Sequence, residues 1–379
     1  MVAKKSFLFE NDIERRMTFH HHRCPSFAIG SEGHVLFALL LVWITAETLA
    51  AVTTGDKVKH FTYEILETVN HPPRHFTQGF TFRQSDGALI EGTGLEGSSV
   101  IALYGAREDG TPTEPRFKVD VPNNHFGEGI AELLGKLYQL TWKNGKVHVW
   151  NADTLEHIET RAMPRGMVEG WGLATAPGHD ALIMSEGSAK LFWVVPDATP
   201  DGGFMFRKEL VVKDCQNMPR PHILGGLNEL ETVPLRVTHP EEVLTHHTSE
   251  GAPNFEQARP RPHPSGATIW ANIYGSHCVA VIDPVTGNVK AYIHLDGLNP
   301  SAGEFNQVTN GVAFRDEDDS LWVTGKNWDK MFKIKLKEIE KPPAGFPRKC
   351  QTSWAYPGGV NPKERYPQNV CDKPRRTEL

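Results

Sequence analysis

The chain has 379 residues, 39% of them hydrophobic and 23% charged, with a formal net charge of -6 at pH 7. That balance describes a globular protein able to bury a sizeable core, and the absence of a basic stripe with interleaved aromatics argues against a nucleic-acid partner. The 34 glycines and 27 prolines make the chain turn-rich, as many short strands require.

Residues 1–55 stand apart from the rest. Lys4, Lys5, Arg15, Arg16 and Arg23 precede an apolar run from Val35 to Ile44, and small residues follow through Ala51. The run is too short for an ordinary transmembrane helix and fits the apolar region of a secretory signal. A buried core helix is the bland alternative. A cleaved signal and a membrane anchor through residues 35–51 both stay open, and either puts the protein in the secretory pathway, secreted or held in an endomembrane. None of the five cysteines, Cys24, Cys215, Cys278, Cys350 and Cys371, forms a CxxC pair, so no zinc or redox motif is read. In a secreted chain Cys350 could pair with Cys371 and Cys215 with Cys278; spacing leaves the connectivity open.

Lys59 to Val69 alternates as a strand. After it, a Gly-marked pattern and a second apolar pattern recur together five times. The first members are QGFTF at Gln78, EGIAEL at Glu128, WGLAT at Trp171, NELETV at Asn228 and NGVAF at Asn310. The second members begin at Leu89, Leu137, Leu182, Ile269 and Leu321. Gly79, Gly172 and Gly311 each precede their second member by 10 residues and Gly129 by 8, whereas Glu229 and Ile269 are 40 apart. Hairpin signals at Asp86-Gly87, Asn144-Gly145 and Thr286-Gly287-Asn288 lie between alternating runs. A period near 48 residues with several short strands per unit predicts an all-β, five-bladed β-propeller with four-stranded antiparallel blades around a central channel. The propeller domain is expected over 56–339, with a polar, Pro-rich surface insertion at 238–265 inside the fourth unit. The strand Met331 to Ile339 is expected to share a blade with Lys59–Val69 and so close the ring. Residues 340–379 read as a mostly irregular tail.

Comparing the copies locates a site. The residue before the marker is Gln78, Glu128, Trp171, Asn228 or Asn310, and five positions into the second member stand Gly94, Trp142, Gly187, Tyr274 and Lys326. By symmetry these gather at one mouth. A carboxylate and an ammonium set among aromatics are costly without pairing or a task, so the mouth suits a small polar ligand. Blander readings exist for each: Trp142 and Trp171 as core, Glu128 and Lys326 as solvated charges, and Asn310 as a turn residue.

The motifs HFTQGF from His75, FGEGI from Phe126, EGWGLAT from Glu169, LNELE from Leu227, WANIY and VTGKNWDKMFKI resemble the glutaminyl-peptide cyclotransferase family of plant and bacterial type, over about Phe61 to Leu336. The resemblance implies a five-bladed propeller. It implies an enzyme that converts the N-terminal Gln of peptides or proteins to pyroglutamate with release of ammonia. Glu128 takes the place of the general acid/base, with Lys326 and Asn228 as electrophilic groups. Gln78, Phe76, Phe126, Trp142, Trp171 and Tyr274 take substrate-binding places. No cofactor is required for catalysis and no metal ligand is assigned, although a structural divalent ion in the channel is compatible with the family. Tyr274 departs from the family's second Trp, and GSHC departs from QTDC, with His277 replacing the carboxylate of the ion site. The rival class is a non-enzymatic propeller binding a peptide end or small ligand at the same mouth; it gives the Glu/Lys pair no task.

Overall fold

The computed structural model describes residues 57–200, 202–215, 222–241, 266–299 and 307–350. The expectations for the N-terminal segment, for most of the insertion, and for Cys24 and Cys371 fall outside these residues. Among the described residues no helix is long and apolar enough to cross a membrane.

The chain opens with β1 (Lys59–Asn70) and then runs through β2 (Thr77–Phe82), β3 (Leu89–Thr93), β4 (Val100–Ala106) and β5 (Pro112–Asp120). Next come β6 (Gly127–Leu133), β7 (Lys136–Thr141), β8 (Lys146–Asn151) and β9 (His157–Ala162), then β10 (Leu173–Thr175), β11 (Leu182–Ser185), β12 (Lys190–Val195) and β13 (Met205–Val211). A short ladder of β14 (Lys213–Asp214) and β15 (His222–Ile223) precedes β16 (Leu227–Pro234), β17 (Ala267–Ile273), β18 (Cys278–Ile282) and β19 (Val289–His294). The last strands are β20 (Thr309–Arg315), β21 (Ser320–Gly325) and β22 (Lys330–Ile339).

The fold is all-β, built from sheets of antiparallel strands. β2–β5, β6–β9 and β10–β13 each form a four-stranded sheet in chain order. β16–β19 and the set β20-β21-β22-β1 form the two halves of an eight-stranded sheet, joined where Lys59–Phe61 runs parallel to Ala291–Ile293. As expected from the alternating ends of the chain, β1 pairs antiparallel with β22, from His60 opposite Ile339 to Asn70 opposite Lys330.

The leading strands meet in a circuit: β2 contacts β6 and β20, β6 contacts β10, β10 contacts β16, and β16 contacts β20. Apolar clusters fill the spaces between neighbouring sheets. Ile90 and Ile101 pack with Ile130 and Trp150, and Leu140 and Val149 with Leu182 and Phe192. Trp193 packs with Ile269, Val281 with Val323, and Trp322 with Phe80. Middle strands such as β11 are therefore buried on both faces and read as continuous apolar runs, while the outer strands β5, β9 and β13 are largely exposed.

The marker glycines let these leading strands approach one another. A Cβ on Gly79 would lie 2.5 Å from the backbone nitrogen of Ile130, and one on Gly129 would lie 2.5 Å from that of Leu173. In the fourth unit Glu229 replaces the glycine, and its Oε2 accepts the Val312 N–H at 3.1 Å, bridging to β20 with its side chain. Gly87, Gly145 and Gly287 adopt positive φ between paired strands, as the turn signals require. The hairpin joining β16 to β17 holds the long fourth-unit connection. That connection begins later than expected, because Thr238 and His239 are buried, with the His239 N–H donated to Leu235 O.

The cysteine pairing differs from both sequence options that involve Cys278 or Cys350. Cys278 of β18 is bonded to Cys350, with Cα atoms 5.4 Å apart. The cause is a fold-back of the chain after β22. Phe346 packs its ring edge against His60, Tyr292 and His294, which brings Cys350 down onto β18. Residues 340–350, the described part of the tail, carry no strand or helix. Opening a cross-link of sequence separation 72 is expected to cost about 4 kcal/mol, because the unfolded chain regains the conformational entropy that the closed loop removed. Urea unfolding of Cys350→Ser against the oxidised parent measures it; coincident midpoints would show that the cross-link contributes nothing.

Candidate active site

Four of the five leading strands carry a pairing irregularity at their site residue; β10 pairs with β11 without one. The register of β2 shifts between Thr77 and Gly79, of β6 between Gly127 and Ile130, of β16 between Leu227 and Leu230, and of β20 between Thr309 and Val312. A bulge re-aims the side chains it contains, and the ones here are Gln78, Glu128, Asn228 and Asn310. A second regularity draws the two sequence columns together. Gly94 N–H donates to Phe76 O, Trp142 N–H to Phe126 O, Tyr274 N–H to Gly226 O, and Lys326 N–H to Val308 O, at 2.8–3.0 Å. In these four units the second-column residue is tied to the carbonyl two residues before the first-column residue.

The side chains form a connected array. Gln78 Nε2 donates to Glu128 Oε1 at 3.0 Å, and Gln78 Oε1 accepts from Asn310 Nδ2 at 2.8 Å. Asn310 Nδ2 also reaches Thr77 O. Asn310 is thus not a turn residue; it is buried in β20 and fixes which way the Gln78 amide faces. Glu128 Oε2, Asn228 Oδ1 and Asn310 Oδ1 are buried with no hydrogen-bond partner. Unpaired buried oxygens of this kind are costly, and here two of them belong to groups at the mouth, Glu128 and Asn228. The Asn228 backbone carbonyl is held by Ser185 Oγ at 2.9 Å, and no hydrogen bond joins its Oδ1 to Glu128 or Lys326.

The aromatics make two walls that meet at Lys326. Its Nζ lies 4.7 Å from the Phe76 ring centre and 5.5 Å from that of Tyr274. One wall continues edge-to-face from Phe76 to Phe126 and on to Trp142, the other from Tyr274 to Trp171 at 5.1 Å. Small residues under the walls seat them. A Cβ on Gly187, where φ is +78°, would lie 2.7 Å from the Trp171 ring, and one on Gly94 would collide with Phe126. Gly94→Ala is expected to cost about 1–3 kcal/mol through overpacking, read as a lowered thermal midpoint; an unchanged midpoint would mean that Phe126 is not seated there.

The electrostatics follow from burial. Glu128 and Lys326 are each only 4% exposed. Burial pushes the Glu128 carboxyl well above the usual carboxylate range; the Lys326 charge opposes this and Glu169 adds to it. Burial likewise lowers the Lys326 ammonium to about 8, against the attraction of Glu128. Glu169 is a member of the site that the sequence comparison passed over. It accepts a hydrogen bond from Trp171 Nε1 at 3.4 Å and acts on Glu128. It occupies a third repeat column, two residues before the first, with Phe76, Phe126, Gly226 and Val308, and that column would have revealed it.

The family model described as glutamine cyclotransferase matches residues 35–239 and 264–336. This chain belongs to the glutamine cyclotransferase family. A curated glutaminyl-peptide cyclotransferase of Arabidopsis thaliana is 29% identical over 279 residues, spanning 73% of this chain and 71% of that protein. The crystal structure of Myxococcus xanthus glutaminyl cyclase matches with a TM-score of 0.56 and 25% identity, covering 75% of this chain and 100% of that one. These matches bear out the motif resemblance and the enzyme class it implied. The break after residue 239 falls within the expected insertion, and the family match begins at residue 35, earlier than the motifs suggested.

Two groups of described residues in this cyclotransferase-family chain each bring three potential metal-ligand atoms together: Cys278, His294 and Cys350, and His71, His75 and Glu91. The first pair of sulfurs is engaged in the disulfide. In the second, both Glu91 oxygens are already engaged by side chains, Oε1 by His71 and Thr77 and Oε2 by His75 and Tyr104, so the group is held together without an ion. His277, which replaces the acid of the family's QTDC, belongs to neither group and pairs with Thr309 Oγ1 at 3.0 Å.

Proposed function

We propose that this enzyme converts the N-terminal Gln of peptides or proteins to pyroglutamate and ammonia at the mouth of a five-bladed β-propeller. The blade reading is supported by the circuit of leading strands and by the apolar clusters between neighbouring sheets. The activity reading is carried by one observation: a buried carboxyl, Glu128, has one oxygen fixed by Gln78 and the other unpaired, beside a buried lysine inside aromatic walls.

The substrate's α-amine attacks its own side-chain amide carbon. Both groups are in one residue, so the enzyme gains chiefly by holding the reactive conformer. Glu128 takes a proton from the attacking nitrogen and delivers it to the departing one, so that ammonia leaves and the five-membered lactam remains. A carboxyl held above its usual range by burial is suited to both transfers. The negative charge that forms on the former amide oxygen is met by the Lys326 ammonium and the Asn228 side chain, arranged before the substrate binds. Phe76, Phe126, Trp142, Trp171 and Tyr274 exclude water, which favours ring closure over hydrolysis. None of these steps calls for a metal.

The reading also takes the protein into the secretory pathway, supported by the apolar run Val35–Ile44 and by the Cys278–Cys350 bond, which persists in oxidising compartments. The direct test incubates the purified protein with a Gln-initiated peptide and measures ammonia together with the mass loss of one ammonia from the peptide. The same peptide beginning with Asn is the control. Absence of both signals would sink the proposal.

A further inference from the structure

Glu91, on β3, is fully buried outside the mouth, and the mechanism above does not use it. Its Oε1 accepts from Thr77 Oγ1 at 2.7 Å and faces His71 Nε2 at 3.1 Å. Its Oε2 accepts from the Tyr104 hydroxyl at 2.6 Å and lies 2.7 Å from His75 Nδ1. The other ring nitrogen of His71, Nδ1, lies 2.7 Å from the main-chain carbonyl of Trp328. A carbonyl can only accept, so Nδ1 carries a proton. The Thr77 and Tyr104 hydroxyls donate to Glu91 and favour its ionised carboxylate, so Nε2 carries a proton as well. Both His71 and Glu91 are shielded from solvent. The groups packed around His71 point the same way: Glu91 and, from β5, Glu114 favour its charged form, as does the Trp328 carbonyl, and together they outweigh burial.

This cluster grips the turn that carries Lys326. His71 N–H donates to Asp329 O at 2.9 Å, Asn327 N–H to His75 O at 2.8 Å, and Thr77 Oγ1 lies 3.4 Å from Gly325 O. With the His71–Trp328 bond, residues 325–329 are fastened to residues 71–77. That same stretch holds Phe76, against Lys326, and leads into Gln78, which holds Glu128. One buried carboxylate thus bonds His71, His75 and Thr77, the residues of this stretch that meet the Lys326 turn.

We propose that Glu91 is a positioning residue of the cyclotransferase site, acting through a buried His71 imidazolium that holds the Lys326 turn against the Gln78 strand. The proposal rests on the cyclotransferase reading for its kinetic consequence but not for its charge state. Misplacement of a reacting group by about 1 Å can cost about 100-fold. Glu91→Gln keeps the shape but removes the counter-charge, so kcat is expected to fall about 10–100-fold with KM changed less than about 3-fold.

The test has two arms. In the first, the full chain carries ring-15N histidine. At pH 8, one histidine should hold protons on both ring nitrogens, and its signals should vanish in His71→Asn and in Glu91→Gln. If no histidine in the parent holds both protons at that pH, the imidazolium is overturned without reference to any variant. In the second, kcat and KM of Glu91→Gln are compared with those of Cys350→Ser, a variant expected to be destabilised at a residue that is not among the mouth residues. A loss of kcat confined to Glu91→Gln supports positioning. Unchanged kcat, or equal losses in both variants, overturns it. A parent with no ammonia release would refute the cyclotransferase reading while leaving the first arm intact.

Discussion

Glu128→Gln should lower the rate of ammonia release about 100- to 10,000-fold while leaving the fold intact, the range expected when a general acid/base is removed. The substitution is isosteric and keeps an oxygen able to accept from Gln78 Nε2. It also removes a carboxyl that is already penalised by burial. Stability should therefore hold or rise, which separates loss of chemistry from loss of structure. The checks are a single-turnover assay on a Gln-initiated peptide and a thermal scan of the same preparation. Retention of near-parental turnover by a folded Glu128→Gln would remove Glu128 from the mechanism and leave Glu169, its acidic neighbour, as the next base to test.

Lys326→Met should cost about 100- to 1,000-fold in kcat, the usual effect of deleting a preorganised donor to a developing oxyanion. Its charge also gives a pH signature. The ammonium is lowered by burial to about 8, and in the proposed mechanism the protonated form is the active one. Activity owed to Lys326 is therefore present below that pH and lost as pH rises through it. The substrate amine works in the opposite sense, since it must lose a proton to attack, so the kcat profile should be bell-shaped with Lys326 on the alkaline limb. Lys326→Arg keeps a charge that does not titrate in this range. Its kcat should be reduced by the altered geometry, but the alkaline limb should disappear. An alkaline limb at the same pH in Lys326→Arg would assign that titration to another group.

Much of the mouth was legible in the sequence because repeated units place equivalent residues equivalently. Gln78, Glu128, Asn228 and Asn310 were found by aligning copies, and the structure supplies the reason: each falls in a bulge of its leading strand. Tyr274 and Lys326 were found in the same way, and a backbone hydrogen bond ties each to its unit's first column. Glu169 was equally legible but lay in a column left unread. The Glu91 cluster was not legible, because it draws on His71, His75, Thr77, Glu91 and Tyr104, which share no column and no spacing. The Cys278–Cys350 bond was hidden for a related reason, since it depends on where Phe346 docks after the last strand.

The sequence by itself determined the strand-rich architecture, its repeat and the chemical types at the mouth, because apolar alternation, turn glycines and copy-to-copy differences are local properties of the chain. Only the tertiary structure decided what those types can do. Burial on every side raises Glu128, lowers Lys326 to about 8 and leaves Glu128 Oε2 unpaired. Desolvation is set by all the atoms packed around a group, and those atoms come from strands distant in the chain.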